Sequence, residues 1–153
     1  MSLIKFYLLR GALTAALILW IAGFSLSFFN TREIALLFIP TKFLYSTVCH
    51  QNPAKTISYH SHSMFVCTRC TGIYIGAFLA SVPAFIFVRK KISLTINILL
   101  IMSVPMLLDV IFLTIGLYQY SFYIAFFTGL LFGSTLFIYI LASIENSLLN
   151  RTK

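Results

Sequence analysis

All three cysteines and all three histidines of this chain fall between residues 49 and 70: Cys49, His50, His60, His62, Cys67 and Cys70. Thiolate and imidazole are the soft and borderline ligands that zinc, copper and iron select. Cys67-Thr68-Arg69-Cys70 is a chelate, because two intervening residues let both sulfurs face one tetrahedral ion at about 2.3 Å. Cys49 from the other end of the segment supplies a third ligand. His50, His60 or His62 supplies a fourth, and spacing does not select among them. The metal set read from the sequence is Cys49, His50, His62, Cys67 and Cys70, with zinc first and iron or copper as alternatives. The same atoms support a second chemistry. A Cys-x-x-Cys at a helix N-terminus beside Arg69 has a lowered thiol pKa, so Cys67 and Cys70 could be a redox pair. Cys49 would then be the resolving thiol and a quinone the electron acceptor. A plain loop disulfide with solvated histidines is the third reading.

The elements that must position these residues belong to a membrane. Of 153 residues, 60% are hydrophobic and 9% charged, and the mean hydropathy is +0.99. A soluble domain carries about 25% charged residues, so this chain lacks the polar surface to cover itself in water. A soluble enzyme, a disordered chain and a nucleic-acid-binding domain are excluded. The net charge of +8 does not argue for nucleic acid, because the basic residues sit at the ends of apolar runs, where they set topology and meet lipid headgroups.

A spanning helix needs about 20 mostly apolar residues. Four runs qualify: 11–29, 71–88, 92–116 and 122–144. The first is too long for a signal-peptide core, and no small-x-small cleavage site follows it. Residues 116–121 form a tight turn, so the last two spans make a helical hairpin. The connection 89–91 makes spans two and three antiparallel neighbours. Residues 30–70 are the one long connection. Within it, Asn30 and Glu33 match a capping box, the run 34–39 is too short to span, and Pro40 interrupts it. An interfacial or re-entrant helix, extending towards Val48, is expected there. The fold class is therefore all-α: one integral membrane domain over 1–153 with four transmembrane helices and an interfacial helix between the first two.

Lys5, Arg89-Lys90-Lys91, Arg151 and Lys153 fall on one side of such a bundle and read as cytoplasmic. The Cys/His segment is then extracytoplasmic at the inner or plasma membrane, although Arg32, Lys42, Lys55 and Arg69 weaken the bias. Asp109 is the one carboxylate inside a predicted span, where a charge costs about 2.5–3.5 kcal/mol and by default marks function or a specific partner. It lies about 10 Å inward from Gly116 at 1.5 Å per residue, at the level of Ile73 to Gly76. Arg69, a cluster histidine or an ion is within its reach, and Pro105 could kink the span towards the site. Asp109 and Arg69 are the candidate catalytic residues. Gly72-x-x-x-Gly76-x-x-x-Ala80 and Gly129-x-x-x-Gly133 are small faces for close helix packing. The partners expected are the bilayer, no nucleic acid, and a second copy or another membrane protein. A non-catalytic accessory or transporter subunit is a further functional reading.

Four segments together resemble a known family: Cys49-His50-Gln51; Val66-Cys67-x-Arg69-Cys70-Thr71-Gly72-x-Tyr74; Pro105-Met106-x-x-Asp109; and Thr128-Gly129-x-x-x-Gly133. The chain resembles, over roughly residues 45–140, small prokaryotic multi-spanning membrane proteins catalogued as a domain of unknown function. The resemblance implies no activity. His62 stands where that family often has a polar residue. Lys55-Thr56-Ile57 stand where it has Arg-Ser-Phe, and Ala125 where it often has a basic residue that could pair with the intramembrane carboxylate. Some members carry Asp at the position of Cys70. Asp can ligate a metal but cannot form a disulfide, which implies metal rather than redox chemistry.

Overall fold

The computed structural model describes residues 3–26, 35–59, 62–86 and 95–150. Five helices and one hairpin follow in order: α1 (Leu3–Ser25), α2 (Ala35–Ser46), a 3-10 turn (Pro53–Lys55), β1 (Thr56–Tyr59), β2 (His62–Cys67), α3 (Thr68–Ile86), α4 (Ile96–Ile115) and α5 (Phe122–Asn150). Four segments are long and apolar enough to cross a membrane: Phe6–Ser25, Thr68–Ile86, Ile96–Ile115 and Phe122–Leu148. The expected four-span bundle is present. The Asn30/Glu33 capping box and the Arg89-Lys90-Lys91 cluster lie outside the described residues.

α3 and α5 form the centre. They run parallel and their small faces interlock. A Cβ on Gly72 or Gly76 would strike the backbone of Phe126 or Leu130, and one on Gly129 or Gly133 the backbone of Arg69 or Ile73. Such approach suits a bilayer, where lipid is as apolar as leucine and dispersion between close backbones must hold helices together. α1 packs along α3, and α4 packs on α5. The expected pairing of spans two and three is thus corrected: α5 is the main neighbour of both, because the glycine faces draw α3 to α5. α4 turns most of its apolar surface outward, as a lipid-facing helix does. Gly116 ends α4 with a left-handed φ of 77°, a conformation that glycine adopts without steric penalty.

Helix ends differ from the sequence reading where a charge had set the boundary. α1 begins well before residue 11 and α5 continues past 144, so Arg10 and Glu145 are interior residues and both are buried. Arg10 donates to Glu145 through Nε (2.6 Å) and Nη2 (2.9 Å), and its Nη1 donates to the carbonyl of Ala84. This bidentate pair ties α1, α3 and α5 together at the end of the bundle away from the cysteines. Removing one partner of a buried pair leaves an uncompensated charge and costs about 3–5 kcal/mol. Glu145→Gln should accordingly lower the thermal midpoint in detergent by roughly 6–20 °C, at about 2–4 °C per kcal/mol for a chain of this size. An unchanged midpoint would show that the pair contributes nothing net.

α2 is the expected interfacial helix. Ile39, Phe43 and Leu44 are exposed, while Tyr45 is buried and donates its hydroxyl to the carbonyl of Trp20 at 2.8 Å. Pro40 was expected to interrupt the helix; it lies inside it. Proline removes its own backbone donor and crowds the carbonyl four residues back, but the helix runs on to Ser46, with Tyr45 anchored on α1.

Candidate metal centre

The chain leaves α2 through a compact turn that delivers Cys49. The amide of Cys49 donates to Tyr45 O at 3.0 Å. Gln51 then takes a left-handed φ of 47°, uncommon for a residue other than glycine and small polar ones. Its side-chain amide holds that turn by donating to Lys42 O at 2.9 Å. Asn52 accepts the amide of Ala54 at 3.0 Å, and the Thr56 hydroxyl donates to Asn52 O at 2.7 Å. β1 and β2 pair antiparallel, with Thr56 opposite Cys67 and an irregularity between Thr56 and Ser58. Cys67 ends β2, and Cys70 sits in the first turn of α3. The Cys-x-x-Cys therefore bridges a strand and a helix N-terminus, and Thr68 fixes the junction by donating to Lys55 O at 3.0 Å.

The hairpin brings the three sulfurs together. The Sγ atoms of Cys49, Cys67 and Cys70 all lie within 4.8 Å of one another, and all three thiols are free. Sulfurs around one tetrahedral zinc are about 3.8 Å apart, from a Zn–S bond of about 2.3 Å, so modest closure would complete a three-sulfur site. The thiol of Cys49 is pulled down to about 2, chiefly by hydrogen bonds from the Cys67 and Cys70 side chains; burial opposes this, and the backbone amides of Cys67 and Gln51 add to it. The Cys67 amide is 3.1 Å from Cys49 Sγ. These donors favour the thiolate form at Cys49, the form in which cysteine ligates a metal.

Aromatic side chains enclose this corner. Phe24, Tyr45, Cys49, Phe65 and Val66 form a buried cluster, against which Trp20, Cys67, Cys70 and Tyr74 pack. Trp20 meets Tyr45 edge-on at 4.8 Å, and Tyr45 stacks on Phe65. Of the other proposed ligands, His50 is exposed and outside the three-thiol group. His62 begins β2. Its side chain, and all of His60, lie outside the described residues.

Arg69 and Asp109 meet. The guanidinium of Arg69 donates to Asp109 Oδ2, and the hydroxyl of Tyr118 donates to Oδ1. Asp109 is buried and is one half of an ion pair with Arg69. The cation beside Asp109 comes from α3, while Ala125 of α5 is buried. Arg69 lies between Cys67 and Cys70, so the pair ties the thiol-bearing turn to α4.

Sequence reasoning missed three parts of this arrangement. The hairpin was legible in principle from the alternation in Thr56-Ile57-Ser58-Tyr59. Tyr118 and the hold of Gln51 on Lys42 carried no sequence signal, since both act through contacts that only the fold creates.

A family model described as "predicted membrane protein (DUF2085)" matches residues 49–139. The chain belongs to the DUF2085 family. The matched stretch starts at Cys49 and takes in all three thiols and the Arg69–Asp109–Tyr118 group. An uncharacterised protein of Methanothermobacter thermautotrophicus is 35% identical over 83 residues, covering 54% of this chain and 75% of that protein. A second uncharacterised relative, from Methanocaldococcus jannaschii, is 36% identical over 101 residues, covering 64% of each chain. This DUF2085 chain thus spans less than two thirds of that second relative's length. No solved structure matches.

Proposed function

We propose that this DUF2085 protein is a multi-pass membrane protein that holds a transition-metal ion between Cys49, Cys67 and Cys70, with zinc first and copper(I) or iron as alternatives. The observation carrying this reading is the convergence of three free thiols from the two ends of the segment 49–70. An enclosed trio of sulfurs suits a soft ion. Three protein ligands leave a position for a histidine, His50 or His62, or for an exogenous group; a closed site is structural, and an open one can activate a bound water. The test is the metal content of detergent-purified protein together with a free-thiol count. One ion per chain with three thiols protected until chelation supports the reading. A metal-free protein with a Cys67–Cys70 disulfide that is reduced by dithiol and reoxidised by quinone would replace it with the oxidoreductase reading, which the same sulfur proximity favours.

The ends of the bundle support an orientation. The Arg10–Glu145 pair and the thiols lie at opposite ends, and the sequence places Lys5, Arg89-Lys90-Lys91 and Arg151 with the former. Cytoplasmic termini and an extracytoplasmic thiol corner follow from the positive-inside rule. A reporter joined after Lys153 should be active only if it works in the cytoplasm; periplasmic activity would invert the topology.

Asp109 acts in this proposal as a positioning residue for the thiol-bearing turn. Asp109→Asn removes the charge that holds Arg69, and loss of a group supporting ligands costs about 10–100-fold in metal affinity. We expect weaker metal retention with membrane insertion intact, and a smaller effect for Tyr118→Phe, which leaves the Arg69 contact in place. Wild-type retention in Asp109→Asn would return this carboxylate to a packing role.

A further inference from the structure

Trp20 Nε1 is a buried donor with no hydrogen-bond partner among the described residues. Tyr74 is its neighbour across the helix interface, with the two rings 6.0 Å apart. Each residue lies more than one helical turn inside a candidate span. At that depth solvent does not satisfy a stray donor, and leaving it unmet is costly. Tyr74 follows Cys70 by four residues and shares its face of α3, and helical side chains lean back towards the N-terminus. The Tyr74 ring therefore leans towards the thiol corner. Trp20 and Tyr74 pack against the cluster that holds Cys49, as Cys67 and Cys70 do. The indole N–H faces the Tyr74 hydroxyl, and that hydroxyl feels the charge of all three cysteines, Cys70 most strongly. The facing pair does not reach hydrogen-bond geometry, so an acceptor is wanted between them.

A metal ion between the sulfurs cannot satisfy an N–H, but its fourth ligand can. Among the described residues no histidine joins the sulfurs, and His50 is exposed. Three thiolates already outweigh the charge of a divalent ion, so a further anion is disfavoured in this aromatic corner. A neutral ligand with a lone pair to spare fits. Water is such a ligand. One lone pair goes to the metal, the other accepts the indole N–H, and one hydrogen is donated to the Tyr74 oxygen. That supplies the about three polar partners of an ordered buried water.

We infer that the fourth position of the thiol-bound metal is held by a water molecule bridging Trp20 Nε1 and the Tyr74 hydroxyl, so that the centre is open rather than closed. This inference rests on the metal reading and gives it a consequence: a position that a substrate can enter, as in catalytic rather than structural sites. Full-length protein in nanodiscs, loaded with cobalt(II), tests the two separately. The sulfur-to-cobalt charge-transfer band reports the trio. The electron paramagnetic resonance line reports the fourth ligand, and it should broaden in water enriched in the magnetic oxygen isotope. Trp20→Phe combined with Tyr74→Phe keeps both rings aromatic but removes both polar groups; it should keep the charge-transfer band and lose the broadening. Tyr123→Phe, which deletes an exposed hydroxyl, should broaden as the wild type does. Wild-type protein that holds cobalt without broadening would overturn the inference and leave the trio standing. So would loss of the tetrahedral spectrum in His50→Ala or His62→Ala, which would give the position to that histidine. Broadening that persists in the double variant would overturn the bridging role of Trp20 and Tyr74. Absence of the charge-transfer band in the wild type would remove the metal reading and this inference with it.

Discussion

Replacing Cys67 by serine should empty the proposed metal centre: bound metal should fall from about one ion per chain to less than a tenth of that. Serine keeps the size of the side chain but supplies a hard hydroxyl that does not ionise near neutral pH, whereas the ligand must be a thiolate. The loss should be as severe for Cys49→Ser and Cys70→Ser, because a three-sulfur set has no spare member. The structure adds a reason for Cys49 in particular. Its sulfur accepts the amide of Cys67 at 3.1 Å and is the one pulled down in pKa by its two neighbours. Metal analysis of each purified variant, with Phe43→Ala as a surface control, checks this. Retention of the ion in any single variant would remove that cysteine from the ligand set; retention in all three would move the metal elsewhere. The same variants separate the two chemistries. A redox pair requires Cys67 and Cys70 but tolerates loss of a resolving thiol for a single turnover, so a Cys49→Ser protein still able to form one Cys67–Cys70 disulfide would favour electron transfer.

Gly133→Ala should damage the protein more than alanine at any of its other glycines. The new Cβ would lie 2.7 Å from both the carbonyl carbon and the Cα of Ile73, and closer still to its carbonyl oxygen. These are backbone atoms of α3 and cannot rotate away, so α3 and α5 must part. Overpacking of this kind costs about 1–3 kcal/mol and occasionally more, about 2–12 °C in thermal midpoint at 2–4 °C per kcal/mol. Parting the helices also moves Cys70, in the first turn of α3, against Cys49 on the α2 side, so metal retention should fall with stability. Gly76→Ala meets Leu130 in the same way and should behave alike. Gly11→Ala is the contrast: its Cβ would find the ring of Phe85 at an ordinary 3.7 Å, and helix propensity favours alanine by about 1 kcal/mol. Thermal unfolding of the three variants in one detergent provides the measurement. Equal midpoints for Gly133→Ala and Gly11→Ala would contradict the close packing of α3 on α5.

Much of this protein was readable without coordinates, because a bilayer restricts what a chain can do. Every backbone group must be satisfied within its own helix, so four long apolar runs dictate four helices, and the α4–α5 hairpin follows from a turn too short for any other path. The small faces of Gly72-x-x-x-Gly76 and Gly129-x-x-x-Gly133 announced close packing, and six potential ligands between residues 49 and 70 announced a site. Sequence could not say which faces meet. It joined spans two and three by their short connection, while α3 lies on α5, since complementary glycine faces outweigh chain proximity. It ended two helices at Arg10 and Glu145, each costly alone in lipid; their mutual hydrogen bonds, spanning 135 residues, remove the reason to stop. Asp109 had several possible partners in sequence, and only the packing of α3, α4 and the following turn selected Arg69 and Tyr118. The three cysteines were visible as a cluster in one dimension. Their approach to within 4.8 Å depends on the β1–β2 hairpin and on the Gln51 turn, where non-local hydrogen bonds rather than local propensity set the path of the chain.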